Sequence, residues 1–189
     1  MEERDKRKIG EELEPGGRPK APGRLELLQR FINTHNHDFP DDWDRLGTPE
    51  KETAWLRDKG LTEDAVSDAD AARLRELREV LRSLLVSPSP ERFAALAAGA
   101  ELTVAVDAQG RTALEPAHGG VDGAVATLLG ILHEAQVGGD WSRMKACRCC
   151  EYAFFDRSKN RSATWCSMSI CGNRTKNRAY YRRRRDTPA

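Results

Sequence analysis

All five cysteines of the 189-residue chain, Cys147, Cys149, Cys150, Cys166 and Cys171, fall in one short stretch near its end. Cys147 and Cys150 are separated by two residues, the spacing of a zinc knuckle, in which backbone amides turn toward the thiolates. Cys166 follows after fifteen intervening residues and Cys171 after four more. A tetrahedral four-thiolate site closes on these ligands, and it is structural because it leaves no open position for water or substrate. In a chain expected to be cytosolic, clustered cysteines are metal ligands more readily than disulfides. Cys149 is an alternative ligand to Cys150 or a spare thiol. Tyr152, Phe154 and Phe155 have the pattern of a short hairpin strand, and with Trp165 they are expected to roof the metal. Structural zinc contributes roughly 10–16 kcal/mol in small fingers, which is what a segment this short needs to fold.

Charge separates the same stretch from the rest. The formal net charge is +1, but from Arg143 to Arg185 there are 13 Lys plus Arg against 2 acids, so this part carries 13 − 2 = +11 and the remainder 1 − 11 = −10. That split describes a polyanion-binding module joined to an acidic body. Arg174, Arg178 and Arg182 are four apart and share a helix face, with Lys176 and Arg183 on the same element. Arg157, Lys159 and Arg161 on the preceding loop are placed to reach phosphates. Tyr180 and Tyr181 interrupt the charge, one expected to pack on the finger and the other to stack on a ligand. The competing reading is a solvated basic helix ending in an electrostatic tail.

These residues need a scaffold. Leu25, Leu28 and Ile32, with Phe31 beside them, predict a helix over about Arg24–Asn33. Thr48-Pro49, acids in the first turn and Gly60 at the end bound a second helix with Trp55 and Leu56 inward. A third starts near Asp68, its stripe formed by Leu74, Leu77, Leu81, Leu84 and Leu85, with Arg73, Arg75, Glu76 and Glu79 largely outside it. Ser89-Pro90 opens a short helix that Gly99 closes. Leu102, Val104 and Val106 alternate with polar or small residues, and Asp107–Gly110 leads into Arg111–Leu114, a β-hairpin. A helix over about Val121–Val137 turns Ala124, Leu128, Ile131, Leu132 and Ala135 inward, and Asp140 caps a further turn through Lys145. Cys171 is expected at the start of the last helix, with Gly172 letting backbone pass close to the metal and Asn173 bonding locally. The fold class is therefore mainly α with one β-hairpin, followed by a small zinc-finger domain of hairpin plus helix, similar to a zinc ribbon or treble clef.

The body offers no convincing catalytic constellation. His35, His37 and Asp38 flank Asn36 in what reads as a polar turn, although they could hold a metal or small ligand. His133 reads as a packed helix residue and His118 as a loop residue without a partner. Asp41, Asp42 and Asp44 near Trp43 read as a solvated loop. No phosphate-cradling glycine loop and no nucleophile elbow is present, so the chain is expected not to be an enzyme. No window approaches the roughly 18 apolar residues of a membrane span and the first residues do not resemble a signal peptide, so a cytoplasmic location without membrane contact is expected.

The runs Phe154–Ser162, Trp165-Cys166-Ser167-Met168 and Cys171-Gly172-Asn173-Arg174 resemble the CGNR zinc finger over about Lys145–Arg184. The body resembles the ABATE domain of bacterial stress-induced transcription regulators, with Phe31-Ile32-Asn33-Thr34 standing at its Phe-x-Asn-Thr motif. The resemblance implies that Cys147, Cys150, Cys166 and Cys171 bind one structural Zn2+ and that the finger binds nucleic acid, double-stranded DNA in the first instance. Two departures stand out: the first cysteine pair is closer than the family's, and Ala163 and Thr164 replace its usual arginines. The expected organisation is a disordered arm over 1–23, a helical domain with a hairpin over 24–140, the finger over 141–185 and a tail over 186–189. The expected function is transcription regulation, with a body that senses a small-molecule effector or assembles a homodimer. The alternatives are an RNA-binding zinc-ribbon-like protein and a small-molecule-binding protein or enzyme.

Overall fold

α5 (Gly120–Val137) is buried nearly all round, as a helix must be whose apolar residues do not keep to one stripe. It packs on α1 (Leu25–Ile32) and on a β-hairpin in the computed structural model, which describes residues 18, 20–36, 44–87 and 89–186. α1 lies between α5 and α3 (Asp68–Ser83); α2 (Pro49–Asp58) and α4 (Pro90–Ala97) pack on α3. The Thr48 start signal acts as read, its hydroxyl accepting from Lys51 N, and the Ser67 hydroxyl accepts from Asp70 N at the start of α3. Leu28, Phe31, Leu56, Leu74, Leu77 and Leu128 are among the fully buried side chains of the core. A Cβ on Gly123 would lie 2.2 Å from the His118 carbonyl oxygen, so glycine is required where the Gly-rich loop enters α5.

β1 (Leu102–Val106) and β2 (Thr112–Pro116) form the expected antiparallel hairpin, Val104 opposite Leu114. Its turn is held by Asp107 Oδ1, which accepts from the backbone of Gln109 and Arg111. Leu102 reaches Gly130 of α5, whereas Val104 and Val106 are exposed.

Several readings of the body need correction. The segment after Asp140 is one 3-10 turn, Asp140–Arg143, and then a strand, because Met144 and Lys145 start β3 (Met144–Ala146). α3 ends at Ser83, so Leu84 and Leu85 fall after the helix and are only partly buried. Arg78 and Arg82 of α3 point inward, although their type suggests the surface. Arg78 grips Asp44 with two hydrogen bonds, 2.6 and 2.9 Å, and Arg82 Nη2 donates to the carbonyls of Ile32 and His35 at 2.6 and 2.8 Å. Asp44 is thus a buried ion-pair partner and not part of a solvated loop. Arg75 pairs with fully buried Glu52 at 2.9 Å. His133 is exposed on α5, and His118 Nε2 lies 3.0 Å from Glu101 Oε2. His37, Asp38, Asp41, Asp42, Trp43, residues 1–17 and 19 of the arm, and residues 187–189 of the tail lie outside the described residues. Arg18 and Ala21, read as part of a disordered arm, are buried.

Candidate metal centre and nucleic-acid interface

β3 and β4 (Ala153–Phe155) are antiparallel, with Met144 opposite Phe155 and Ala146 opposite Ala153. The knuckle joins them: Cys147 N donates to Tyr152 O at 3.0 Å and Glu151 N to Cys147 O at 2.8 Å, with Glu151 in the left-handed region at φ 58°. The amides of Cys149 and Tyr152 donate to the sulfurs of Cys147 and Cys150. Side chains along β4 alternate between two cores, as strand geometry requires. Ala153 and Phe155 join the body core, while Phe154, with Tyr152 before the strand, packs on the cysteines. Phe155 therefore roofs the body and not the metal, and Trp165 is only partly buried against the cysteine cluster.

The four sulfurs of Cys147, Cys150, Cys166 and Cys171 are buried and all lie within 4.8 Å of one another. Cys150 Sγ is 3.6 Å from Cys166 Sγ, and Cys171 Sγ is 3.5 Å from each of them. Sulfurs about 2.3 Å from a central zinc form a tetrahedron with edges of about 3.8 Å, so the cluster fits one zinc ion with little adjustment. Hydrogen bonds from Cys150 and Cys166 hold the Cys147 thiol far below its ordinary value. Hydrogen bonding to Cys147 pushes Cys150 and Cys166 up, and burial pushes Cys171 up to about 12. A divalent cation satisfies all four as thiolates, which protons cannot do. Between the two candidates for the second position, Cys150 is the ligand; Cys149 lends its amide and stays partly exposed.

The finger is bolted to the body through α1. Asn33 Nδ2 donates to Ala153 O and Asn33 Oδ1 accepts from Ala153 N, both at 2.8 Å, so one side chain completes the open edge of β4. Gln29, one turn earlier, donates to the same carbonyl at 3.2 Å. Arg82 Nη1 reaches Glu151 O at 3.4 Å. This gives Asn33 a docking role that was not read from the sequence, whereas Thr34 stays within the body, its hydroxyl donating to Phe31 O at 2.7 Å.

The basic loop is organised by an acid that sequence reading only counted. Asp156, fully buried, accepts from Lys145 Nζ at 2.6 Å, Ser158 N at 2.8 Å and Ala163 N at 3.0 Å. Burial alone would raise its carboxyl; these donors hold it at about 2. An isolated aspartate in a stretch of excess positive charge was the available signal. Arg143 and Lys145 are spent on this loop, donating to the carbonyls of Asp156 and Arg161. Of the loop's predicted contact residues, Lys159 is exposed, Arg161 donates to Ser142 Oγ at 3.1 Å, and Arg157 donates to Lys20 O at 2.8 Å.

After Cys166 the chain makes a π-helical turn, Met168–Gly172, leading into α6 (Asn173–Asp186). Cys171 sits in that turn and not in α6 itself. An added Cβ on Gly172 would lie 2.6 Å from the Met168 sulfur, the end of a flexible and exposed side chain that can move aside. Asn173 Nδ2 bonds locally, to Ser169 O at 3.1 Å. Among the described elements, α6 makes its main packing contact with this turn, and most of its side chains are exposed. Lys176, Arg178, Arg182 and Arg183 are exposed and Arg174 is half-buried. Lys176 and Arg183 lie about half a turn away from the Arg174, Arg178 and Arg182 face, so positive charge surrounds the helix. Neither tyrosine packs on the finger: Tyr180 and Tyr181 are 48% and 68% exposed, edge to face at 5.5 Å.

Residues 143–184 match the family model of the CGNR zinc finger, and residues 25–138 match ABATE, described as a putative stress-induced transcription regulator. The chain belongs to the ABATE family. A search of curated proteins found no match to it. With the four buried cysteines, this CGNR-bearing ABATE protein has one structural zinc site. None of its described helices is long and apolar enough to cross a membrane.

Proposed function

We propose that this ABATE protein is a cytoplasmic bacterial transcription regulator that binds double-stranded DNA through its CGNR finger. The observation that carries the reading is α6: seven Lys and Arg on a mostly exposed helix rooted at the edge of the zinc site. A helix with charge on both sides meets phosphates on both walls of a major groove, while an arginine between them reads guanine edges. Arg174, Lys176, Arg178, Arg182 and Arg183 supply the helix contacts, and Arg157, Lys159 and Arg161 supply the loop. The body, 24–140, assembles a homodimer or receives an effector, and binding rather than catalysis is its work. A single finger buries little surface, so dimerisation raises affinity to the level specific sites require.

The test is titration of the zinc-loaded chain against random-sequence duplex at several salt concentrations, followed by fluorescence anisotropy. Neutralising about five phosphates gives a slope of log affinity against log salt of roughly −4 to −5, and the double variant R178A/R182A reduces its magnitude by about 2. Chelation abolishes binding. Absence of binding at low salt refutes the proposal and leaves a zinc-stabilised protein-interaction domain. The exposure of both tyrosines favours one second reading, base stacking on single-stranded RNA. Competition between duplex DNA and RNA decides between them.

A further inference from the structure

The residues that precede α1 cross the finger before they reach the body. Arg18 is 7% exposed, its guanidinium carbon lies 4.2 Å from the centre of the Tyr152 ring, its buried Nε has no hydrogen-bond partner among the described residues, and its charge acts on the Cys166 sulfur. Two fastenings hold the residues that follow. Arg157 Nη2, on the finger loop, donates to Lys20 O at 2.8 Å; Ala21 N donates to Gln29 Oε1, on α1, at 2.7 Å. The segment is thus tied at one residue to the finger and at the next to the body, and it delivers Arg18 to the sulfurs.

The chemistry of the site gives that delivery a purpose. Four thiolates around one Zn2+ carry 4 × (−1) + 2 = −2, and all four cysteines are buried. Buried charge without a counter-charge is costly, and donors to metal-bound ligands set how firmly the metal is held. Arginine suits the position: its flat face stacks on Tyr152 while its edge offers donors to the thiolates, and it stays charged when buried. Arg18 is the cation that acts on Cys166, and its field also reaches Cys150.

We propose that Arg18 is an outer-sphere component of the zinc site, donating to the Cys166 thiolate, offsetting half the charge of the zinc–thiolate cluster and slowing metal release. This assignment extends the site from a segment of the last third of the chain to a residue 129 positions before the first ligand, Cys147.

The experiment uses the full chain and two readouts, neither of which involves DNA. Zinc transfer to a chromophoric chelator is timed for wild type, Arg18→Gln, Arg18→Lys and Arg157→Ala, with far-UV circular dichroism to verify equal helix content. Cobalt(II) is then substituted for zinc and the sulfur-to-metal charge-transfer band recorded. R18Q is expected to release zinc about tenfold faster or more, R18K to fall between it and wild type, and the R18Q cobalt band to move to longer wavelength as Cys166 loses a donor. R157A loosens a fastening but keeps the guanidinium, so its release rate stays closer to wild type than that of R18Q. Release from R18Q at the wild-type rate overturns the proposal. So does an unmoved cobalt band with R157A as fast as R18Q, since the effect then belongs to the fastening alone.

Discussion

Asn33→Ala removes the side chain that completes the edge of β4. Two hydrogen bonds of 2.8 Å are lost, and they are unequal in consequence. The Ala153 carbonyl keeps Gln29 Nε2 at 3.2 Å, so that loss is an ordinary one of roughly 0.5–1.5 kcal/mol. The Ala153 N–H belongs to a fully buried residue and loses its Asn33 acceptor, which costs roughly 1–3 kcal/mol. Together the expected destabilisation is about 2–4 kcal/mol, a large share of the 5–15 kcal/mol that holds a typical domain folded. Asn33→Asp is the sharper test. It keeps the acceptor but sets a carboxylate oxygen against the Ala153 carbonyl, so at neutral pH it should cost at least as much as alanine and recover in acid, where the protonated group donates again. Urea unfolding of the zinc-loaded chain measures the energy, and hydrogen exchange at the Ala153 amide locates it. A loss below about 0.5 kcal/mol for alanine, or an aspartate variant as stable as wild type at pH 7, refutes the account of how finger and body are joined.

Burial, outweighing Arg75, pushes the Glu52 carboxyl up to about 7. A folded-state value above the ordinary 4.5 means a contribution to stability that is full below pH 4.5 and lost as pH rises through 7. Glu52→Gln should therefore flatten the fall in stability between pH 5 and pH 8, read by urea melts at four pH values; an unchanged profile removes Glu52 as its source. Arg78→Met leaves Asp44 without its two strong donors and should cost about 3–5 kcal/mol, most of it recovered in R78M/D44L, where both charges are gone. Thermal melts of the two variants check this, and a double variant no better than the single one contradicts it.

The metal site was legible because its information is local. Cysteine spacing and the cap at Thr48 each act within a few residues and appear where spacing places them; of the aromatics between the pairs, Tyr152 and Phe154 pack on the cysteines while Phe155 turns to the body core. What stayed hidden is carried by contacts between distant positions. Asn33 meets Ala153 across 120 residues, and no pattern around either one records the other. Arg78 and Arg82 were hidden for a different reason. A guanidinium has an apolar stem and a planar set of donors, so it can lie in a core where carbonyls and a carboxylate await it, yet its residue type marks it for the surface. His133 erred the other way: its helix is apolar almost all round, and the exposed strip is narrow enough to be lost in the average.

β4 has consequences for how α6 meets a target. The strand is a wall between two compartments, with Ala153 and Phe155 on one side and Phe154 on the other, so the finger cannot swing as a domain on a tether would. Fourteen residues make α6 about 21 Å long, and a rotation of about 5° at its root carries its far end through about 2 Å, the difference between a side chain that reaches a phosphate and one that does not. Repacking around Phe155, a residue of the body core, is therefore amplified at Arg182 and Arg183 by leverage alone. Under the proposed function, affinity is then adjustable from the body with no change in the charge of the helix or in the ligands of the metal.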